Sequence, residues 1–292
     1  MKYHLILNPS AGRGYAAKIQ SVLFNRVEEQ LGDVDFYTTE APGDAKRIAA
    51  SVSEFNQTVI VAGGDGTIHE VVNGLVGGNS TMGIIPIGSG NDFVKMLNLP
   101  FNYVDAIEVV KKRQTMAIDI GRAGEAYFPN GLGIGFDAKA VIESKKVKKL
   151  RGFLIYLYAV LKTILLYKNY QVSIYCDGQK EDRKIFMINA GNGAYLGGGF
   201  WISPKAELDD GLLEIGIIKN LSKWEIMIHL PKVIKGNHLD LEQVDYFRTT
   251  NLIVECDAGF PVHADGELIS ESCKKIEIDI LPGALNVIHN LN

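Results

Sequence analysis

With 292 residues, 47% of them hydrophobic and 22% charged, the chain has room for about two domains with substantial cores, and its composition excludes a disordered, collagen-like or coiled-coil protein. A formal net charge of −4 argues against a surface organised for nucleic acid. Cys176, Cys256 and Cys273 lie far apart and form no C-x-x-C pair, so they read as buried free thiols rather than as a disulfide framework or a zinc site.

The first apolar run, Tyr3 to Leu7, turns into Asn8-Pro9, far short of a signal peptide, and a cytoplasmic location is expected. Helix-length and strand-length segments then alternate: Tyr15 to Leu31, Val34 to Thr38, Ala45 to Glu54, Thr58 to Ala62, Ile68 to Leu75 and Met82 to Ile85. This alternation predicts a parallel α/β sheet. Ligands bind beyond the carboxyl ends of such strands. The loops after Leu7, Ala62 and Ile85 are therefore the candidate sites, and all of them are rich in glycine.

The sharpest signal is the run from Val59 through Gly63-Gly64-Asp65-Gly66-Thr67 to Glu70. Glycine admits positive φ and close backbone approach, and the following helix N-terminus offers unpaired N–H groups to phosphate. Asp65 would stand beside those phosphates, where a carboxylate can hold Mg²⁺ directly or through water. Thr67 and Glu70 also have the spacing of a capping box for the same helix. A second loop, Pro86-Ile87-Gly88-Ser89-Gly90-Asn91-Asp92-Phe93, leads into a predicted helix from Asp92 to Leu97 with an Asx cap. The first loop, Asn8-Pro9-Ser10-Ala11-Gly12-Arg13-Gly14, follows the same logic. Each is weak alone, and together they point to a polyphosphate nucleotide. None fits the Walker pattern or the dinucleotide fingerprint.

Beyond about Arg122 the pattern changes to strands and turns, with Gln171 to Cys176 before an Asp177-Gly178 turn, Ile185 to Ala190, Leu212 to Ile218, Asn251 to Glu255 and Ile276 to Ile280. An antiparallel β-sandwich is expected there. Helical segments are predicted over Lys145 to Tyr167 and Ser222 to Ile234. Val262-His263-Ala264-Asp265-Gly266-Glu267 sets two carboxylates about a turn glycine, which suits a metal or a hydroxyl proton and equally suits a plain Asp-Gly hairpin. Leu208-Asp209-Asp210-Gly211-Leu212 is likewise a turn or a cation site. The six histidines form no metal-type pair and read as structural or surface residues.

Lys145-Lys146-Val147-Lys148-Lys149-Leu150-Arg151 precedes an apolar stretch from Phe153 to Tyr167 that is too short to span a bilayer. A basic run beside an apolar helix can engage an anionic membrane surface. A nearly uniformly apolar helix is more often buried, and the reading leans to burial.

The set Gly63-Gly64-Asp65-Gly66-Thr67, Pro86 to Phe93 and Asp265-Gly266-Glu267 resembles the bacterial diacylglycerol kinase-like lipid kinases, over nearly the whole chain. The resemblance implies an N-terminal α/β domain of the phosphofructokinase and NAD kinase type over residues 1–122, and an antiparallel β-sandwich lipid-binding domain over 123–282. It also implies a tail, 283–292, that returns to the first domain, and a site in the cleft between the domains. ATP would be lined by Asn8, Pro9, Ser10, Ala11, Gly12, Thr39, Gly64, Asp65, Gly66, Thr67, Ile68, His69 and Glu70, with Ser89 nearby. Asp65 and Asp92 would serve the Mg²⁺ and phosphate network. Glu267 would be the general base toward a lipid hydroxyl, with Asp265 in support. A structural Mg²⁺ would sit on the Asp210 carboxylate and the carbonyls of Glu207 and Leu212.

The partners implied are a lipid substrate at a membrane surface, with peripheral association at its inner face, and a second copy of the chain as a homodimer. No nucleic acid is expected. The rival within enzymes is an NAD kinase, which shares the G-G-D-G motif; Asn91-Asp92-Phe93 after Pro86-Ile87-Gly88 favours the lipid kinases, and no asparagine-glutamate pair stands where NAD kinases would have it. A catalytically silent nucleotide or lipid sensor is the reading from another class, and Asp65, Asp92 and Glu267 argue against it.

Overall fold

The computed structural model describes residues 2–53, 57–147, 150 and 153–291. The chain divides into two compact units, Met1–Asp119 with Pro282–Asn292, and Ile120–Leu281.

In the first unit, strands β1 (Tyr3–Leu7), β2 (Val34–Thr38), β3 (Thr58–Gly63) and β4 (Thr81–Pro86) form a parallel sheet in the order β2-β1-β3-β4. The end of β15 (Glu267–Ile288) extends it, with Asn286 opposite Thr81 and Val287 opposite Met82. β1 and β3 are buried along their whole length, which is why both read as unbroken apolar runs rather than as alternating ones. Helices α1 (Ala11–Leu31), α2 (Asp44–Val52), α3 (Asp65–Leu75), α4 (Asp92–Met96) and α5 (Tyr103–Lys112) connect the strands. Gly12, Arg13 and Gly14 are left-handed, so regular helix begins at Tyr15. The predicted end of the second helix, Glu54, lies outside the described residues.

β5 (Thr115–Ala123) leads into the second unit, whose strands are β6 (Ala126–Phe128), β7 (Gly131–Gly135), β8 (Tyr170–Cys176), β9 (Gln179–Gly191), β10 (Tyr195–Leu196), β11 (Phe200–Trp201), β12 (Leu213–Lys219), β13 (Val244–Thr249) and β14 (Asn251–Ala264), followed by most of β15. Pairing is antiparallel in the order β13-β12-β9-β7-β14-β15. The long strands β9 and β14 each pair with β8 over one stretch and with β7 over another, so both belong to two layers, as in a sandwich. The predicted Asp177-Gly178 hairpin is present, with φ of 49° and 75°, the turn whose twist matches its strands.

Helix α6 (Phe136–Ser144), not anticipated from the sequence, precedes α7 (Phe153–Leu166), and α8 (Lys223–Ile234) follows β12 with a full Ser222/Glu225 capping box. The predicted helix from Lys145 is therefore corrected: Lys145 and Lys146 form a turn, and Lys148, Lys149, Arg151 and Gly152 lie outside the described residues. The reading that leaned to burial of α7 holds for one face only. Ala159, Val160 and Ile164 pack inward, whereas Leu154, Tyr158, Leu161 and Leu165 are exposed. Their spacing of four, three and four places them on one helical face. Uniform apolarity carries no phase, so only packing decides which side is covered.

Candidate active site

The three glycine loops meet at the carboxyl edge of the parallel sheet because each continues one of its neighbouring strands. Asn8 continues β1 and donates from Nδ2 to Thr67 Oγ1 at 2.9 Å, while its Oδ1 accepts from the Ser10 N–H. The second loop follows β4, with the Ile87 and Gly88 N–H groups donating to the Gly63 carbonyl. Backbone fits against backbone here. A Cβ on Gly88 would stand 2.5 Å from Gly64 Cα, and one on Gly12 would stand 2.7 Å from the Ile87 carbonyl oxygen. Glycine at these points is what lets the loops close on one another.

Asp65 ties the cluster. Its two carboxylate oxygens accept from the Asn91 and Asp92 N–H groups, each at 2.8 Å, so it caps α4 from a neighbouring loop. The Asx cap expected from Asn91 is absent: Asn91 is left-handed and makes no side-chain cap bond. The capping box expected of Thr67 and Glu70 is likewise absent, since the N-cap of α3 is Gly64, with no side-chain cap bond. Glu70 instead accepts from the Gly43 and Ala45 N–H groups at 2.9 and 3.1 Å, capping the neighbouring α2. The first N–H groups of α3 thus have no acceptor inside their helix, the arrangement that receives anions.

The other expected nucleotide residues differ in exposure. Pro9, Ser10 and Ala11 lie in the first loop and Gly66 in the first turn of α3, with Ser89 exposed at the tip of the second loop. Thr39 follows β2 and is buried, its N–H donating to the Leu7 carbonyl. Ile68 is core, and His69 is half-buried with Asn73 donating to its carbonyl. Asp92 is buried and meets Lys95 Nζ at 2.8 Å.

In the second unit, Asp265 and Gly266 form the turn between β14 and β15, with φ of 48° and 83°. Asp265 Oδ1 accepts from the Asn130 and Gly131 N–H groups at 3.1 and 2.9 Å, anchoring the turn to the start of β7. Glu267 is half-exposed and paired with Lys145 Nζ at 2.8 Å. Lys146 and Lys162 both meet Glu143, whose carboxyl their hydrogen bonds hold below the usual range. His263 was expected to be structural or superficial; it is buried against Asp137, Nε2 to Oδ2 at 2.8 Å. Sequence reasoning missed Asp137. The available signal was a histidine inside a strand segment buried on both faces, which obliges a partner.

Around Asp210, Oδ1 accepts from the Leu212 N–H at 3.0 Å, with Gly211 at φ 74°. Arg248 Nη1 lies 3.6 Å from Asp210 Oδ2, and its Nε is 2.6 Å from the buried Glu214. The Glu207 side chain is exposed. Among the described residues no group of three or more His, Cys, Asp or Glu side chains is gathered for a metal, and no helix is long and apolar enough to cross a membrane.

Residues 2–123 match the diacylglycerol kinase catalytic domain, and residues 131–289 match the YegS C-terminal NAD kinase beta sandwich-like domain. A diacylglycerol kinase of Mycobacterium tuberculosis is 30% identical over 98% of this chain and 94% of its own length. One from Bacillus subtilis is 28% identical over 90% of this chain and 88% of its own. The crystal structure of a Bacillus anthracis diacylglycerol kinase superimposes with a TM-score of 0.78 at 25% identity, covering 99% of this chain and 97% of that one. Yeast NADH kinase, at 9% identity and a TM-score of 0.53 over all of this chain and 84% of its own, shares the fold alone. The α/β unit with its glycine loops, the antiparallel β unit and these relatives agree, and the chain belongs to the bacterial diacylglycerol kinase-like lipid kinases, ATP-using phosphotransferases.

Proposed function

We propose that the protein transfers the γ-phosphate of ATP to the hydroxyl of diacylglycerol or a closely related lipid, giving phosphatidic acid, at the surface of a membrane with which it associates peripherally. The observation that carries the phosphate half of this reading is the backbone cradle in which Asp65 joins the Gly63–Gly66 turn to the start of α4. N–H groups at the start of α3 and in the second loop hold phosphate oxygens there, with Asn8, Thr39 and Ser89 as neighbours. Glu267, half-exposed and therefore open to a substrate hydroxyl, accepts its proton as the new O–P bond forms and the bond to ADP breaks.

The oxygen donors present fit Mg²⁺, which takes one or two carboxylates with phosphate oxygens and water rather than an all-protein cage. Asp65 and Asp92 are the residues that would hold it. When bound, Mg²⁺ neutralises charge on the phosphate oxygens. A second, structural Mg²⁺ would rest on Asp210 and the carbonyls of Glu207 and Leu212. Arg248, close to Asp210, competes with it for the same carboxylate.

Support for a lipid acceptor comes from the second unit. Leu154, Tyr158, Leu161 and Leu165 form an exposed stripe on α7, and Trp224, Met227 and Ile228 are exposed on α8; the two helices meet where Lys223 donates to the Leu165 carbonyl. Exposed apolar residues gathered in this way mark a contact with lipid or protein. Behind them lies an apolar cavity of about 90 Å³ whose walls include Phe136, Val160, Phe200 and Val233, suited to the end of an acyl chain. Of the basic run, Lys145 and Lys146 pair with Glu267 and Glu143.

The test is transfer of labelled γ-phosphate from ATP with Mg²⁺ to diacylglycerol in anionic vesicles, with NAD offered in parallel and Glu267→Gln as control. Labelled phosphatidic acid that falls about 10²- to 10⁴-fold in the control is expected. Label on NAD would overturn the lipid reading, and label on another lipid would change the acceptor.

A further inference from the structure

A line of hydrogen-bonded side chains runs through the second unit from α7 to the turn that carries Glu267. Tyr156 of α7 donates its hydroxyl to Oδ1 of Asp137 in the first turn of α6. The other oxygen, Oδ2, lies 2.8 Å from Nε2 of His263. On the opposite side of that ring, Nδ1 accepts from the Gly266 N–H at 3.1 Å. Asp137 and His263 are both almost completely buried.

The geometry determines where the ring's hydrogen sits. A peptide N–H can only donate, so Nδ1 of His263 carries no proton; Nε2 carries it and donates to Asp137. The carboxylate receives Nε2–H on one oxygen and the Tyr156 hydroxyl on the other, at a helix N-terminus whose dipole favours negative charge. The pair also packs against main chain. A Cβ on Gly133 would stand 2.4 Å from Asp137 Oδ2 and 2.4 Å from His263 Nε2, so the two side chains lie directly on the backbone of β7.

What this line acts on is the Asp265–Gly266 turn. One side of the turn is held by Asp265 at the start of β7. The other is held by His263 at Gly266, the residue immediately before Glu267. Helix α6 therefore reaches the turn twice, through Asp137 and His263 from its first turn, and through Lys145, just beyond its last, to Glu267 itself.

We propose that Asp137 and His263 form a positioning dyad: His263, oriented by Asp137 in its Nε2–H tautomer, holds the Gly266 N–H and so sets the direction in which Glu267 leaves the turn, while Tyr156 ties this arrangement to the apolar helix α7. The proposal rests on the reading of Glu267 as the base. A buried polar pair serving stability alone would leave the same contacts, and the experiment separates the two.

Long-range ¹H–¹⁵N spectra of the full chain read the tautomer without any assay. Nε2 protonated and Nδ1 unprotonated is the expected result; the reverse tautomer overturns the dyad. Two variants then split the functions of the ring. His263→Asn sets a carboxamide oxygen near the position of Nδ1, keeping an acceptor for Gly266 but losing the reach to Asp137. His263→Gln reaches Asp137 but leaves the Gly266 N–H unpaired. Positioning predicts a kcat loss of about threefold for Asn and of about 30-fold or more for Gln, with KM for ATP moving less than about twofold in either. Equal kcat values in the two variants, whatever their melting temperatures, overturn the proposal. Glu267→Gln run beside them separates the failures. If it turns over like the parent protein, the base reading falls and the dyad has nothing to position; if it loses activity while the two His263 variants match, only the dyad falls.

Discussion

The two units build their candidate sites by opposite means. In the first, loops close on one another through backbone, with Gly64 against Gly88 and Gly12 against Ile87, and two side chains, Asp65 and Asn8, tie them. In the second, the Asp265–Gly266 turn is held at β7 by backbone and by the Asp265 carboxylate, and the His263 ring that meets Gly266 is oriented by a side chain from far along the chain, Asp137 standing 126 positions from it. A site made of backbone depends on residues that are small and adjacent in sequence, so its pattern is local and compact. A site made of side chains depends on strand register and helix placement, so its parts are scattered along the chain.

Gly88→Ala should break the backbone-built site most severely. The new Cβ meets the Gly64 backbone at 2.5 Å and Asn91 Oδ1 at 2.8 Å, and backbone cannot yield as a side-chain end can. Turnover with ATP is expected to fall by about 100-fold or more; a variant as active as the parent would show that the loops part freely. Asp65→Asn tests the side chain on which that site relies. An amide NH₂ would face one of two backbone donors, costing about 1–3 kcal/mol in urea unfolding and about tenfold in turnover.

Glu70→Gln should cost about 1 kcal/mol in the same unfolding experiment, because one of the two acceptors that cap α2 is lost. Unchanged stability would remove Glu70 as the link between α2 and α3. The smallest effect belongs to His238 in the second unit, whose burial lowers its pKa from the ordinary 6.5. The neutral ring is the folded form, so the unfolded chain binds the extra proton. Its contribution is whole above pH 6.5 and is lost as pH falls toward the folded value, with a slope of at most about 1.4 kcal/mol per pH unit. His238→Gln should flatten that part of the profile in urea melts taken on either side of pH 6.5.

Much of the first unit was legible. The runs Tyr3 to Leu7 and Thr58 to Ala62 are the central strands, as unbroken apolar stretches imply, and the glycine loops follow them. The partners of Thr67 and Glu70 were misread, because a T-x-x-E spacing suits capping of its own helix while a neighbouring helix end supplied better-placed donors. In the second unit the hairpins at Asp177-Gly178 and Asp265-Gly266 were readable from their turn residues. Helix α6 was not, since a short segment beginning Phe136-Asp137 after a glycine-rich strand carries little periodic signal.

Sequence alone determined what is local: where the chain must be extended and buried, where it must turn with positive φ, and which loops follow which strands. Those are demands on a few consecutive residues, and residue type meets or fails them without reference to the rest of the chain. Tertiary structure decided which helix Glu70 caps, which face of α7 is left uncovered, and that His263 meets Asp137. Each depends on register and crossing geometry between distant segments, and a hydrogen bond or an apolar contact is indifferent to how far apart its partners lie in the chain.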